Sequence, residues 1–170
     1  AVRAIDAEQK RLREQTEEIT ESALTSTTKV AAFRAYLAEQ YDLEFPDMRA
    51  ATVERALSGA DLPEEVRELL LIRTQTSLTS AAKYKTVLKG VSPDGRMRGT
   101  LQFCGAARTG RWAGRGLQPQ NLARPTLKQR DIELAIRAFK EEAEDLVLPN
   151  IMEAASNAVR GLIVPSKGKK

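Results

Sequence analysis

Seven of the ten glycines in this 170-residue chain lie between Gly90 and Gly116, and on either side of them apolar residues recur at helical spacing. Glycine at that density has no favourable helix through it. The chain therefore cannot be an uninterrupted helical bundle, and its helices must flank a backbone-rich segment of another kind. Charge divides the chain in the same place. From Lys83 to Arg130 there are eleven Lys and Arg against the single acid Asp94, a net +10, so the rest of a chain whose total is +4 sums to −6. A basic, glycine-rich segment between acidic helices points to a polyanionic partner. With 42% hydrophobic and 29% charged residues the chain is globular rather than disordered. It has one cysteine, Cys104, and no histidine. This excludes an internal disulfide, a multi-cysteine zinc site, a Ser/His/Asp triad and a histidine base or ligand. No apolar run approaches the ~20 residues that span a bilayer, and the opening AVRAIDAEQK has no apolar signal core. No membrane partner and a cytoplasmic location are expected.

The flanks read as helices. Val2, Ile5, Leu12 and Ile19 form a thin stripe over residues 2 to about 22. The hydroxyls of Thr25-Ser26-Thr27-Thr28 offer N-caps for a second helix through Val30, Phe33, Tyr36 and Leu37 to Tyr41. After the break at Glu44-Phe45-Pro46-Asp47, a short helix over 52–57 stops at Gly59. Pro63-Glu64-Glu65 then opens a long helix, with Val66, Leu69, Leu70, Ile72, Leu78, Ala82, Val87 and Leu88 inward, that runs to Gly90. At 1.5 Å per residue it would be roughly 40 Å long. Beyond the turn Ser92-Pro93-Asp94-Gly95 the period changes to two: Met97, Leu101 and Phe103 fall on one face, as in a half-buried strand. Residues 105–125 read as a second short strand and an extended loop. Helix resumes at Thr126, where Thr126 and Gln129 have capping-box spacing, and carries Ile132, Ile136, Phe139, Ala143, Leu146 and Val147 inward until Pro149. Asn150 and Glu153 repeat the capping-box spacing and open a last helix to Gly161. The expected fold is mainly α, six helices with a short antiparallel β-hairpin, an α+β chain.

The chemistry is concentrated in residues 105–122. Arg108, Arg111 and Arg115 supply guanidinium forks, Gln118, Gln120 and Asn121 supply amides, and the glycines let a polynucleotide approach the main chain. The plainer reading of the same composition is a solvated Gly/Arg loop. The glycines match neither a Walker loop nor a GxGxxG turn after a strand.

Thr109-Gly110-Arg111, eight further residues, and then Gln120-Asn121-Leu122 resembles the TGR…QNIP segment of A-family DNA polymerases, the polymerase I type, and most closely their phage and prophage branch. The runs Asp94-Gly-Arg-Met-Arg-Gly-Thr-Leu-Gln-Phe, Arg108-Thr-Gly-Arg-Trp-Ala-Gly-Arg and Gln118-Pro-Gln-Asn-Leu are similar to that branch. Ser80-Ala-Ala-Lys-Tyr-Lys-Thr resembles the end of its long thumb helix, and Leu162-Ile-Val-Pro the approach to its first catalytic palm strand. The resemblance covers about residues 69–164. It implies a long-helix thumb over residues 1–90 and an incomplete palm over 91–170. By the same resemblance Arg111 lies in the minor groove at the primer terminus, Gln120 and Asn121 contact the duplex, and Lys83, Lys85 and Thr86 hold backbone phosphates. Ala113 stands where many members have serine, Trp112 where they have leucine, and Ala123 where proline is usual. The family transfers nucleotides with two magnesium ions held by a pair of aspartates, beside a fingers helix; the resemblance implies that this piece stops before them, holds no cofactor, has no catalytic residue and is inactive alone. Its expected partners are primer–template DNA and the remaining palm and fingers. The hairpin would then have an apolar face bare of the sheet it normally meets. The other reading is an autonomous nucleic-acid-binding protein, or a decayed prophage remnant, without catalysis.

Four further features have a plain reading beside a chemical one. Glu141, Glu142, Glu144 and Asp145 read as a solvated helix face rather than a metal site. Trp112 and Tyr84 either pack or stack on a base, packing being the commoner fate. Cys104 reads as a small buried residue after a strand.

Overall fold

In the computed structural model of the chain, residues 1–59, 61–78 and 80–164 are described, the side chains of Ser80 and Ala81 aside. Eight α-helices and one two-stranded antiparallel sheet are found among them. Pro165, which closes the apolar run from Leu162, lies outside the described residues. No described helix is long and apolar enough to cross a membrane. The chain divides into two compact units, Asp6–Leu78 and Ala1–Ile5 with Thr79–Lys170.

The first unit contains most of α1 (Val2–Ile19), α2 (Val30–Tyr41), α3 (Ala50–Ser58) and α4 (Glu64–Thr76). Its core is Leu24, Phe33, Leu37, Phe45, Met48, Val53, Val66, Leu69 and Leu70. The thin stripe of α1 is completed by polar residues: Thr16 and Thr20 are buried, and their hydroxyls donate to the carbonyls of Leu12 and Thr16, each at 2.7 Å. Back-bonding of this kind lets a threonine enter an apolar setting without an orphaned hydroxyl. The hydroxyl run at 25–28 does not cap α2; Lys29 stands at the N-cap with no side-chain bond, while Ser26 and Thr28 bond to each other. Helix α3 ends at Gly59, and Pro63, Glu64 and Glu65 open α4 as the sequence indicates.

The long helix expected over 63–90 is two. Helix α4 stops at Thr76, Ser77 and Leu78 are not helical, and α5 (Ser80–Gly90) begins two residues later. Three hydroxyls at the break turn back on the preceding turn: Thr74 donates to Leu70 O, Thr76 to Ile72 O and Ser77 to Thr74 O, at 2.9–3.0 Å. Such bonds compete with continuation of the helix, and here they end it although the apolar period runs on.

The second unit packs α5, α6 (Gln129–Glu141), α7 (Glu144–Val147) and α8 (Ile151–Ala158), with the hairpin β1 (Leu101–Ala106) and β2 (Arg111–Gly114) between α5 and α6 in sequence. Helix α8 is buried on every side, from Ile151 through Val159 with only Glu153 partly exposed, and the Asn150 side chain accepts from Glu153 N at 2.9 Å, forming its expected cap. Thr126 caps nothing; α6 starts at Gln129 behind an uncapped Lys128. The helix expected to reach Pro149 instead ends at Glu141, the backbone of the next residue, Glu142, being left-handed (φ 54°), and α7 restarts at Glu144. Tyr84 is buried, its hydroxyl donating to Ala155 O at 2.8 Å, and burial pushes its phenol well above the usual tyrosine range.

The hairpin departs from the expected half-buried strand. Met97 bridges to Val91 rather than continuing β1, and Gly99 (φ 67°) separates them. Leu101 pairs with Gly114 and Gln102 with Ala113, but Ala106 pairs with Arg111, so a bulge interrupts β1 at 103–105. Cys104 sits in that bulge at φ 49° and is exposed, not buried. It should react with a maleimide in the native protein as fast as in urea; protection in the native state would contradict the bulge.

Candidate nucleic-acid interface

Strand alternation separates the hairpin into two faces. Gln102 and Ala113, a register pair, share one face with Arg111 and Arg115, each two residues from Ala113, while Leu101, Phe103 and Trp112 point to the other. Arg115 extends the ladder, its N–H donating to Thr100 O at 2.7 Å, and its Nε reaches Gln102 Oε1 at 2.7 Å. Its guanidinium is thereby oriented with most of its donors still outward. Arg111 is exposed at the start of β2, and Arg108 and Thr109 are exposed in the turn at the tip, where the N–H groups of Thr109 and Gly110 both donate to Ala106 O.

At the other end of β2 the three amides form one cluster. Gln118, in a left-handed conformation (φ 50°), donates from Nε2 to Gly114 O at 2.9 Å and accepts from Asn121 Nδ2 at 3.2 Å. Gln120 lies against Gly114 so closely that a Cβ there would fall 2.1 Å from Gln120 Nε2. Glycine at 114 thus provides the space in which the amide sits. The glycine at 116 has φ 60°, and a Cβ on it would lie 3.9 Å from Thr86 Cγ2, which places α5 beside the exit of the hairpin.

Helix α5 does not present its three candidate residues together. Lys83 and Lys85 stand about 100° to either side of the buried Tyr84 at 3.6 residues per turn. Lys83 is half-buried and Lys85 exposed. Thr86, half-buried, donates to Ala82 O at 2.8 Å. The structure therefore joins Thr86 with the hairpin and the amide cluster, and splits the lysines between two flanks of one helix. Before the hairpin, Arg98 clasps Asp94 with bonds of 3.1 and 2.6 Å. Arg98, and secondly the Arg96 N–H, hold the Asp94 carboxyl below the usual carboxylate range.

Two residues outside the sequence-derived set hold the loop. Asn157, buried on α8, accepts from Thr126 N at 2.6 Å and Leu127 N at 3.0 Å, and donates to Glu153 O at 2.9 Å. Arg160, in the 3₁₀ turn that follows, donates from Nη2 to Leu122 O at 2.9 Å and from Nε to Ala123 O at 3.0 Å. The signal was a lone asparagine among Ala154, Ala155, Ala158 and Val159, since a polar side chain in a wholly buried helix must find partners. Among the acidic residues at 141–145, Glu142 pairs with Arg3, and no three described Asp, Glu or Cys side chains come together as metal ligands.

Among the described residues the chain is mainly α, with a β-hairpin that lies within its basic segment. It is 34% identical over 152 residues to the DNA polymerase of Bacillus phage SP02, a match that takes in 88% of this chain and spans 23% of that protein. This chain is thus related by sequence to a phage DNA polymerase. It matches no protein-family model and no solved structure.

Proposed function

We propose that this chain is a DNA-holding portion of an A-family DNA polymerase, with thumb-like residues 1–90 and the start of a palm at 91–170. The observation that carries the reading is the similarity to the phage polymerase along nearly the whole chain. The geometry agrees with it: an edge-exposed hairpin with Arg111 and Arg115 on one face, and an amide cluster at its base. In this reading Lys83, Lys85, Arg108, Thr109 and Arg115 meet phosphates, which sets position without reading sequence. Thr86 borders the exit of the hairpin, and Gln118 fixes the cluster from which Gln120 and Asn121 reach the duplex. Arg111 donates into the minor groove, where acceptors common to all base pairs let it sense a correctly paired primer end. The metal-binding aspartates, their two magnesium ions and the fingers belong to other parts of such a polymerase, and this chain alone holds primer–template without extending it.

The test is binding of the 170-residue chain to primer–template, blunt duplex and single-stranded RNA over a salt series. Preference for the primer–template is expected, with log K falling against log salt at a slope of about −0.9 for each phosphate contact. Tighter binding to RNA would favour an autonomous RNA-binding protein instead. Arg111→Ala sharpens the assignment: loss of a groove bond should weaken binding and leave the salt slope unchanged, whereas loss of a phosphate contact would reduce the slope by about 0.9. In a complete polymerase carrying the same change, incorporation should fall more than DNA affinity; equal losses would make Arg111 a simple anchor.

A further inference from the structure

Two arginines flank the hairpin in sequence and are held in different ways. Arg98 uses both Nη groups on the Asp94 carboxylate, at 3.1 and 2.6 Å, so its charge is answered within the chain. Arg115 uses Nε, which donates to the side-chain oxygen of Gln102 at 2.7 Å. A guanidinium has five N–H donors, one on Nε and two on each Nη. The bond to Gln102 therefore leaves the forked end outside it, and that end is the part that pairs bidentately with a phosphate. A neutral amide also turns the group without cancelling its charge. Arg98 is thus a clasp within its own turn, whereas Arg115 is aimed with its charge intact.

The backbone around the pair fixes both partners. The Arg115 N–H donates to Thr100 O at 2.7 Å, which ties the base of its side chain to the segment entering β1. Gln102 pairs in register with Ala113, so its side chain shares the face of Arg111 and Arg115. Gly105 is an odd number of residues from Gln102, and in a regular strand it would belong to the other face. The bulge turns it over: a Cβ on Gly105 would fall 2.7 Å from Ala113 Cβ, and 3.1 and 3.2 Å from Gln102 Cβ and Cδ. Glycine there leaves the room in which the glutamine side chain lies. Gln102 is exposed, yet it is confined by the Gly105 backbone and bonded to Arg115 Nε. We propose that Gln102 is a positioning residue that presents the Arg115 guanidinium to a backbone phosphate. The inference rests on the reading that this chain holds DNA, and it adds to that reading a residue that acts through Arg115.

Two measurements test it, the first without DNA. The Arg115 Nε–H resonance is identified by its loss in Arg115→Lys. It should move and exchange faster with solvent in Gln102→Met, which keeps the side-chain length and removes the acceptor. In Gln102→Glu, which keeps an acceptor, it should stay protected. The 170-residue chain and its variants are then titrated with labelled primer–template over a salt series. Gln102→Met should weaken binding about two- to tenfold, the range for ordering one long side chain at an interface. The salt slope should stay that of the parent, because the charge remains. In an Arg115→Ala background the same change should cause no further loss. An affinity unchanged by Gln102→Met, an equal loss in both backgrounds, or an Nε–H resonance indifferent to Gln102→Met would each overturn the inference and leave the DNA-holding reading standing. No binding of primer–template by the parent chain would overturn both, whatever the resonance shows.

Discussion

Phe33→Ala should remove about 3–5 kcal/mol from the unit formed by residues 6–78, the range for deleting a fully buried phenylalanine that its neighbours cannot replace. Phe33 has no exposed surface, and the core around it is drawn from α2, α3, α4 and the segments joining them, including Leu24, Phe45 and Met48. A unit of this size has a total stability of only about 4–11 kcal/mol. The variant should therefore begin to lose helical circular dichroism at concentrations of urea that leave the parent untouched. Leu71→Ala is the matched control. It follows two fully buried leucines on α4 but is 47% exposed, and it should cost under about 1 kcal/mol. If the two variants unfolded at the same urea concentration, the assigned inward face of α4 and the position of Phe33 would both be wrong.

Those helices were legible because their signals are local. Pro63 before α4 with Glu64 and Glu65 in its first turn, Gly59 after α3 and the Asn150–Glu153 spacing each act within one turn, and each does what it does in isolated helices. The signals that failed were overridden from a distance or by a competing local bond. Thr126 and Gln129 have the same spacing as Asn150 and Glu153, yet Thr126 N is taken by an asparagine 31 residues further on. The apolar period through Leu78 and Ala82 continues across 76–80, but the hydroxyls of Thr74, Thr76 and Ser77 close off the helix first. In the hairpin, the two-residue alternation was right for Leu101 and Phe103 and blind to the bulge after them, since a register slip changes pairing without changing composition. Cys104 lies within that slip and is exposed, as are Leu101, Gln102 and Phe103 before it.

The candidate interface was legible to the extent that its chemistry is composition. Arginines, amides and glycines crowd into one segment, and the resemblance orders them. What composition could not give was the division of faces. Arg111 and Arg115 lie opposite Trp112, and Lys83 and Lys85 diverge around Tyr84 rather than forming one basic stripe. Nor did it give the support from α8, because Asn157 and Arg160 act through main-chain carbonyls and N–H groups that no side-chain pattern encodes.

That support sets the second large effect. Asn157→Leu, which keeps the volume and removes the amide, should destabilise the unit containing α8 by about 2 kcal/mol, because the N–H groups of Thr126 and Leu127 lose their acceptor and the Glu153 carbonyl a donor. The figure sits within the 1–3 kcal/mol for an orphaned buried donor rather than at twice that, since Thr126 is at the surface and water can reach it. Amide hydrogen exchange at Thr126 and Leu127 should quicken. Asn157→Asp, which retains an acceptor for both donors, should recover part of the loss. If the loop is held ready for DNA by this contact, affinity for primer–template should fall as well, although Asn157 is buried and carries no charge. Arg160→Lys separates holding from charge. The lysine keeps the positive charge but cannot span Leu122 O and Ala123 O as the planar fork does. Weaker DNA binding at an unchanged salt slope would identify Arg160 as a positioning residue for Gln120 and Asn121, and a slope reduced by about 0.9 would identify it as a phosphate contact in its own right.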